Sequence, residues 1–263
     1  MPSEMRPLER HMKALGCEVS VPLLPGHGAT HRELLATTWN DWLAGGRRAL
    51  DDLAARSDTL VVAGLSMGAL LAVLLAVEDS RVAGIALLSP TLCYDGPSIP
   101  RTRHLLPLAH LFPFLGKFFY WTETPPYGLK DQRLQRRITR SVEAAKRGET
   151  NQFGLFRTYV GAIRQLNLMI REVRAKAASA RCPALVLHSL EDTVTSVRNA
   201  EEIHGLLGAR DKSIRWLSGC DHVITLDLRK REVARHVGEF ATRVTATRRP
   251  TSGEVVLSGR RAP

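Results

Sequence analysis

Short, wholly apolar runs alternate with helically spaced ones along this chain. Thr59-Leu60-Val61-Val62-Ala63, Val82-Ala-Gly-Ile-Ala-Leu-Leu88 and Ala184-Leu-Val-Leu187 are continuous and bounded by turn residues, as strands buried on both faces are. Cys17–Pro22 and Ser213–Leu217 alternate apolar with polar, which predicts two further strands. Met5, Leu8, Met12 and Leu15 share one face of a helix predicted over 3–15, with Ser3 as its N-cap and Gly16 as its stop; Pro7 blurs where that helix starts. Trp39, Trp42, Leu43, Leu50 and Leu53 mark a helix over 39–55, Ala69–Val77 a buried one, and further helices are expected at 196–207 and 228–243. Strand–helix alternation of this kind predicts an α/β fold, a mostly parallel sheet with helices on both faces. Residues 91–178 break the alternation.

Composition narrows the setting. A chain of 263 residues, 44% hydrophobic, suffices for one large domain with an insertion. With Glu4, Arg6, Glu9, Arg10 and Lys13 and no continuous apolar stretch, the first fifteen residues do not read as a secretory leader, and none is expected there. The most apolar run, Leu105–Trp121, is interrupted by Pro107, His110, Pro113 and Lys117 and is too short to cross a membrane. Cys17, Cys93, Cys182 and Cys220 are scattered, without metal-ligand spacing or a disulfide framework, so a reducing cytoplasm and no metal are expected. The net charge of +11 is uneven: residues 101–181 hold 16 Lys/Arg against 5 Asp/Glu, and 243–263 hold 5 against 1. The basic middle segment fits either a solvated helical face or weak attraction to an anionic lipid surface. It has no nucleic-acid-binding motif, so no nucleic-acid partner is expected.

The candidate chemistry centres on Ser66, in Gly64-Leu65-Ser66-Met67-Gly68 between an apolar strand and an apolar helix. That context sets it apart from a plain glycine-rich turn: the serine of a strained strand-to-helix turn projects above the sheet, facing the first amides of the next helix. The tightness of the turn calls for small residues two places either side, and both are glycine. Such a serine needs a base and an orienting acid on loops after later strands. Asp192, just beyond 184–187, is the candidate acid, with Glu191 its rival; a surface acid capping the next helix is the plainer alternative. His222, just beyond 213–217, is the candidate base. His27 sits in the turn Pro25-Gly-His-Gly28, where a structural role is the simpler reading. His104, His110 and His188 could approach the pocket but lack the position for a base.

Taken together, Pro22–Gly28, Thr37–Trp42, Gly64–Gly68, Ala184–Asp192 and His222–Asp227 resemble the bacterial carboxylesterase and monoacylglycerol lipase branch of the α/β-hydrolase superfamily, grouped with serine aminopeptidase-like hydrolases. The resemblance spans roughly residues 3–242. It implies Ser66 as nucleophile, Asp192 as acid, His222 as base, the Met67 amide as an oxyanion donor, an ester substrate and no cofactor. Amide hydrolysis or acyl transfer by the same triad, and a catalytically silent binding protein, are the alternatives. It implies core segments 1–90 and 179–243, a helical cap over 91–178 and a disordered tail over 244–263. Ala69 stands where the family usually has glycine, and Ser218–Asp221 makes a longer histidine loop. Members also place a strand before the helix at Ser3, between the strands expected at 17–22 and 59–63, and its loop donates a second oxyanion amide. The expectation is therefore a sheet with a gap there, and that Met1 is an internal methionine with in-frame sequence upstream. The apolar residues of 105–121 would suit an acyl chain, and Leu134, Ile138 and Val142 predict an amphipathic helix with Arg133, Arg136, Arg137 and Arg140 outward.

Overall fold

A computed structural model of the chain describes residues 1–28, 30–99, 119–122, 124–146 and 157–248. Four parallel strands form the sheet: β1 (Leu60–Leu65), β2 (Val82–Leu88), β5 (Ala184–Ser189) and β6 (Lys212–Leu217), in the order β1-β2-β5-β6. Every residue of β2 and of β5 is buried, as the continuous apolar runs require of central strands. Helices α2 (His31–Leu35), α3 (Trp39–Ala54), α4 (Met67–Glu78), α6 (Val160–Lys176) and α7 (Arg198–Leu206) contribute to a core that includes Ile85, Leu87 and Val186. In the other core cluster, α1 (Pro2–Ala14) and α8 (Lys230–Arg248) join Ala86, Leu88, Leu185 and Leu187. Seven apolar residues of α4, Ala69 to Leu75, are buried, so that helix has no solvated face. Each large side chain so buried contributes roughly 1.5–3 kcal/mol.

Capping follows the sequence at α3, where Thr38 and Asp41 exchange side-chain bonds with each other's amides. Trp42 is 1% exposed and its indole donates to the Thr37 hydroxyl at 2.9 Å. Helix α1 starts at Pro2, not Ser3, which puts Pro7 inside it. Its Met5, Leu8 and Met12 face the core, whereas Leu15 at the C-cap is exposed.

The segment Cys17–Pro22 forms no strand. Its alternation survives as burial, Val19 and Val21 half-buried between exposed Glu18, Ser20 and Pro22, but alternation needs a neighbouring ladder to become a strand. Among the described residues β1 pairs with β2 alone. A cavity of about 2320 Å³ lies along the open side of β1, walled also by α1 and by 17–22, and it reaches Ser66.

Between β2 and β5 the described residues contain α5 (Gln132–Lys146), α6 and a two-stranded antiparallel pair, β3 (Tyr120–Thr122) with β4 (Arg157–Tyr159), which the periodicity does not predict. Ile138 and Val142 are buried with Leu129, and Leu134, Val223 and Leu226 pack against them; Arg133, Arg136, Arg137 and Arg140 are exposed. Most of the apolar run expected near the mouth (residues 105–118), His104 and His110 lie outside the described residues. Of the tail expected to be disordered over 244–263, residues 244–248 instead continue α8, where Val244 packs into the core, and the rest lies outside the described residues. No described helix is long and apolar enough to cross a membrane.

Candidate active site

The C-terminal ends of all four parallel strands feed the loops that meet at Ser66, the usual place for a site on a parallel sheet. Ser66 follows β1 and is the N-cap of α4, with φ 55° and ψ −117°, a conformation that L-residues rarely adopt. Its amide donates to the Leu88 carbonyl at the end of β2 at 2.8 Å, which ties the turn to the sheet. Met67 is the first residue of α4, so its amide has no intrahelical acceptor and faces the end of the helix.

Asp192 and His222 come together beside that turn. His222 Nδ1 lies 2.8 Å from Asp192 Oδ2, and His222 Nε2 lies 3.1 Å from Ser66 Oγ. The Asp192 side chain is 1% exposed and fully engaged. Its Oδ1 accepts the amides of Val194 and Thr195, both at 2.8 Å, and its Oδ2 accepts the Thr195 hydroxyl at 3.0 Å. Burial pushes this carboxyl up, but the His222 charge and hydrogen bond, with the Thr195 amide, outweigh burial and hold it below the usual carboxylate range. The ionised acid fixes Nδ1 of His222 as the donor, leaving Nε2 to accept the Ser66 proton. For His222, burial pulls the imidazole down, and Asp192, assisted by Asp221, overrides it, so the pKa stands above 6.5. The fold therefore favours imidazolium. That contribution to stability is complete below the unfolded pKa and is lost as pH rises through the folded one.

The same shift would set the pH dependence of a reaction in which His222 is the base. His222 would take the serine proton only when neutral, so the acid limb of kcat/KM is expected at a higher pH than an ordinary imidazole gives. In Asp192→Asn the charge is gone and burial remains, so the limb moves to lower pH. A pH profile of both proteins on one ester checks this, and coincident limbs refute it.

Glu191, the rival acid, faces away: it pairs with Lys130 and accepts the Gly219 amide at 2.7 Å. His27 reaches Pro25 O at 3.1 Å, stacks edge-on to Trp42 and lines the cavity, in keeping with a structural role. His188, expected near the pocket but not as its base, lies behind the acid. It is fully buried, its Nε2 donates to Thr195 O at 3.1 Å and stands 3.4 Å from Asp192 Oδ2. Burial lowers its pKa below 6.5, so it braces the acid loop as a neutral ring.

Two more acids fasten the His222 loop. Asp221 Oδ1 accepts the amides of Thr193 and of His222, each at 2.7 Å, joining the acid loop to the base. Asp227, fully buried, accepts Asp221 N at 2.7 Å and Lys130 N at 2.9 Å on Oδ2, and Asp131 N at 2.8 Å on Oδ1. Val223 N donates to Gly128 O at 2.9 Å. The base loop and residues 128–131 are thus one hydrogen-bonded unit. The cavity passes Ser66, Met67 and His222 and continues to Tyr127, Leu134 and Ile138.

Residues 5–229 match the family described as Hydrolase_4, serine aminopeptidase S33. The chain is 27% identical over 226 residues to the thermostable monoacylglycerol lipase of Bacillus sp. (strain H-257), covering 86% of this chain and 80% of that protein. It is 20% identical over 239 residues to a carboxylesterase of Bacillus subtilis (strain 168), covering 90% and 86%. Among solved structures, one reported for the metagenome-derived lipolytic enzymes LipS and LipT superposes with a TM-score of 0.75 at 27% identity, over 92% of this chain and 89% of that one. The monoacylglycerol lipase of Paleococcus ferrophilus superposes with a TM-score of 0.65 at 18% identity, over 84% and 81%, a likeness of fold.

Proposed function

We infer that this chain, which belongs to the serine aminopeptidase S33 family of the α/β-hydrolases, hydrolyses carboxylic esters through an acyl-enzyme on Ser66. The observation that carries the reading is the line Asp192–His222–Ser66, at 2.8 and 3.1 Å, opening on a cavity. His222 Nε2 takes the Ser66 proton as Oγ attacks the ester carbonyl. The Met67 amide, at the start of α4, holds the oxyanion. His222 returns the proton to the leaving alcohol, then deprotonates the water that releases the acid.

We assign 91–178 the role of a cap over this site. Tyr127, Leu134 and Ile138 give the cavity an apolar wall, which suits one acyl chain better than three. The expected substrates are short-to-medium acyl esters and monoacylglycerols; the names of the lipase and carboxylesterase relatives support this class. The exposed arginines of α5 would bring the mouth to an anionic lipid surface. A cytoplasmic setting rests on the scattered spacing of Cys17, Cys93, Cys182 and Cys220, which forms no disulfide framework in the sequence. The serine aminopeptidase description favours a second reading, amide hydrolysis by the same groups.

A substrate panel tests the reading. Turnover should fall from short and medium p-nitrophenyl esters and monoacylglycerol to triacylglycerol emulsions, and aminoacyl anilides should be slower than esters. A profile flat in acyl length, or preference for triacylglycerol, overturns the substrate class. Faster anilides favour the second reading. Failure of a fluorophosphonate to label the protein points to a silent binding protein.

A further inference from the structure

We propose that Thr91 is a catalytic residue: its hydroxyl donates a hydrogen bond to Ser66 Oγ and stabilises the charge that gathers there when the serine attacks and again when it leaves. The proposal rests on Ser66 being the nucleophile. Thr91 is fully buried on the loop after β2, and its Oγ1 lies 2.9 Å from Ser66 Oγ, closer than His222 Nε2 at 3.1 Å.

Proton counting gives the direction of this bond. Ser66 has one hydroxyl proton, and the donor role of His222 Nδ1 towards Asp192 leaves Nε2 as its acceptor. Oγ then has lone pairs but no proton for Thr91, so Thr91 must be the donor. A buried threonine hydroxyl ordinarily donates to a local carbonyl. The local one here, Ser89 O, lies at 3.4 Å, near the limit for a hydrogen bond. The 2.9 Å contact is the better one.

The loop is fastened on both sides of Thr91, so the donor is held in place. Ser89 N donates to Leu187 O at 2.8 Å. Asn199 Oδ1 accepts the amides of Leu92 and Cys93 at 2.8 and 2.7 Å, and Asn199 Nδ2 donates to Asp95 at 3.0 Å. A donor fixed before the reaction costs no reorganisation when charge develops.

The two half-reactions use it alike. In acylation the Ser66 proton passes to His222 as the Oγ–carbon bond forms, and Thr91 donates to the oxygen losing its proton. In the acyl-enzyme Oγ is an ester oxygen, a poor acceptor, and the Thr91 proton can turn to Ser89 O. In deacylation water bonds to the acyl carbon and gives a proton to His222. The carbon–Oγ bond then breaks, its electron pair goes to Oγ, and His222 reprotonates Oγ while Thr91 donates to it. Thr91 keeps its own proton throughout.

The test compares Thr91→Val, which keeps the shape and removes the hydroxyl, with Thr91→Ser, which does the reverse, using single-turnover and steady-state kinetics on one p-nitrophenyl ester. A hydrogen bond to a developing charge predicts that Thr91→Val slows acylation and deacylation each by about tenfold to a hundredfold. Thr91→Ser should stay within about threefold, with KM and the acid limb of the pH profile unchanged in both. Full rates in a folded Thr91→Val protein overturn the proposal, as do equal losses in Val and Ser. If Thr91→Val does not fold, Thr91→Ala against Thr91→Ser decides, equal rates counting against the hydroxyl. Ser66→Ala is run alongside: activity surviving in it overturns the serine reading, whereas its loss with full Thr91→Val rates overturns only the role of Thr91.

Discussion

Ser66→Ala should lose roughly 10⁶ in kcat on esters, and His222→Ala about as much, because nucleophile and base act as one unit. Asp192→Asn should lose about 10⁴. The acid transfers no proton; it fixes the tautomer and supports the imidazolium, and His222 retains its place through the Asp221–amide bond. Each variant should stay folded. Ser66 contributes two side-chain contacts, to His222 and Thr91, and Thr91 retains Ser89 O as an alternative acceptor. Purified variants, checked by thermal unfolding and assayed for ester turnover, give the answer. Near wild-type kcat in a folded Ser66→Ala protein would sink the triad.

The two glycines of the turn should behave oppositely. A Cβ on Gly64 would lie 2.0 Å from Gly68 O, 2.1 Å from Gly68 C and 2.6 Å from Ala69 N. All three atoms are backbone, so no rotamer relieves the clash and the start of α4 must move off β1. Gly64→Ala should cost about 3–5 kcal/mol of stability and, by displacing Ser66, at least about a hundredfold in kcat/KM. A Cβ on Gly68 meets nothing within 4 Å, and that residue lies in α4. Gly68→Ala should gain about 0.5–1 kcal/mol, the usual helical preference for alanine. The pair of glycines thus serves one close approach, made by Gly64. Equal melting temperatures for the two variants would contradict this.

That Ser66, Asp192 and His222 meet was legible because each position has a local signature: a strained turn that demands glycine, and loops placed directly after predicted strands. Gly68 shows the limit of that reading, since sequence pattern cannot tell which of two small residues is sterically required. Thr91 and Asp227 were not legible. Their partners lie 25 and up to 97 residues away, and nothing in a lone Thr or a buried Asp announces a partner across the fold. Cys17–Pro22 was misread because alternation records which side faces inward, not whether a neighbouring strand is there to bond. The β3–β4 pair was missed because three-residue strands are too short for a period to show. The parallel, helix-flanked sheet, in contrast, follows from the strand–helix alternation.

The buried Asp227 carboxylate has a dynamic consequence. Any hinge that swung Gly128–Asp131 outward would strip Lys130 N and Asp131 N of their acceptor and break the Val223–Gly128 bond, unseating His222 in the same motion. An open gate of that kind would be a gate with no working base behind it. Any hinge that admits substrate would therefore lie elsewhere in the molecule. Breathing of the mouth and readiness of the base would then be separate degrees of freedom, so mutations that loosen the proposed cap should alter how fast substrate arrives without altering the proton affinity of His222.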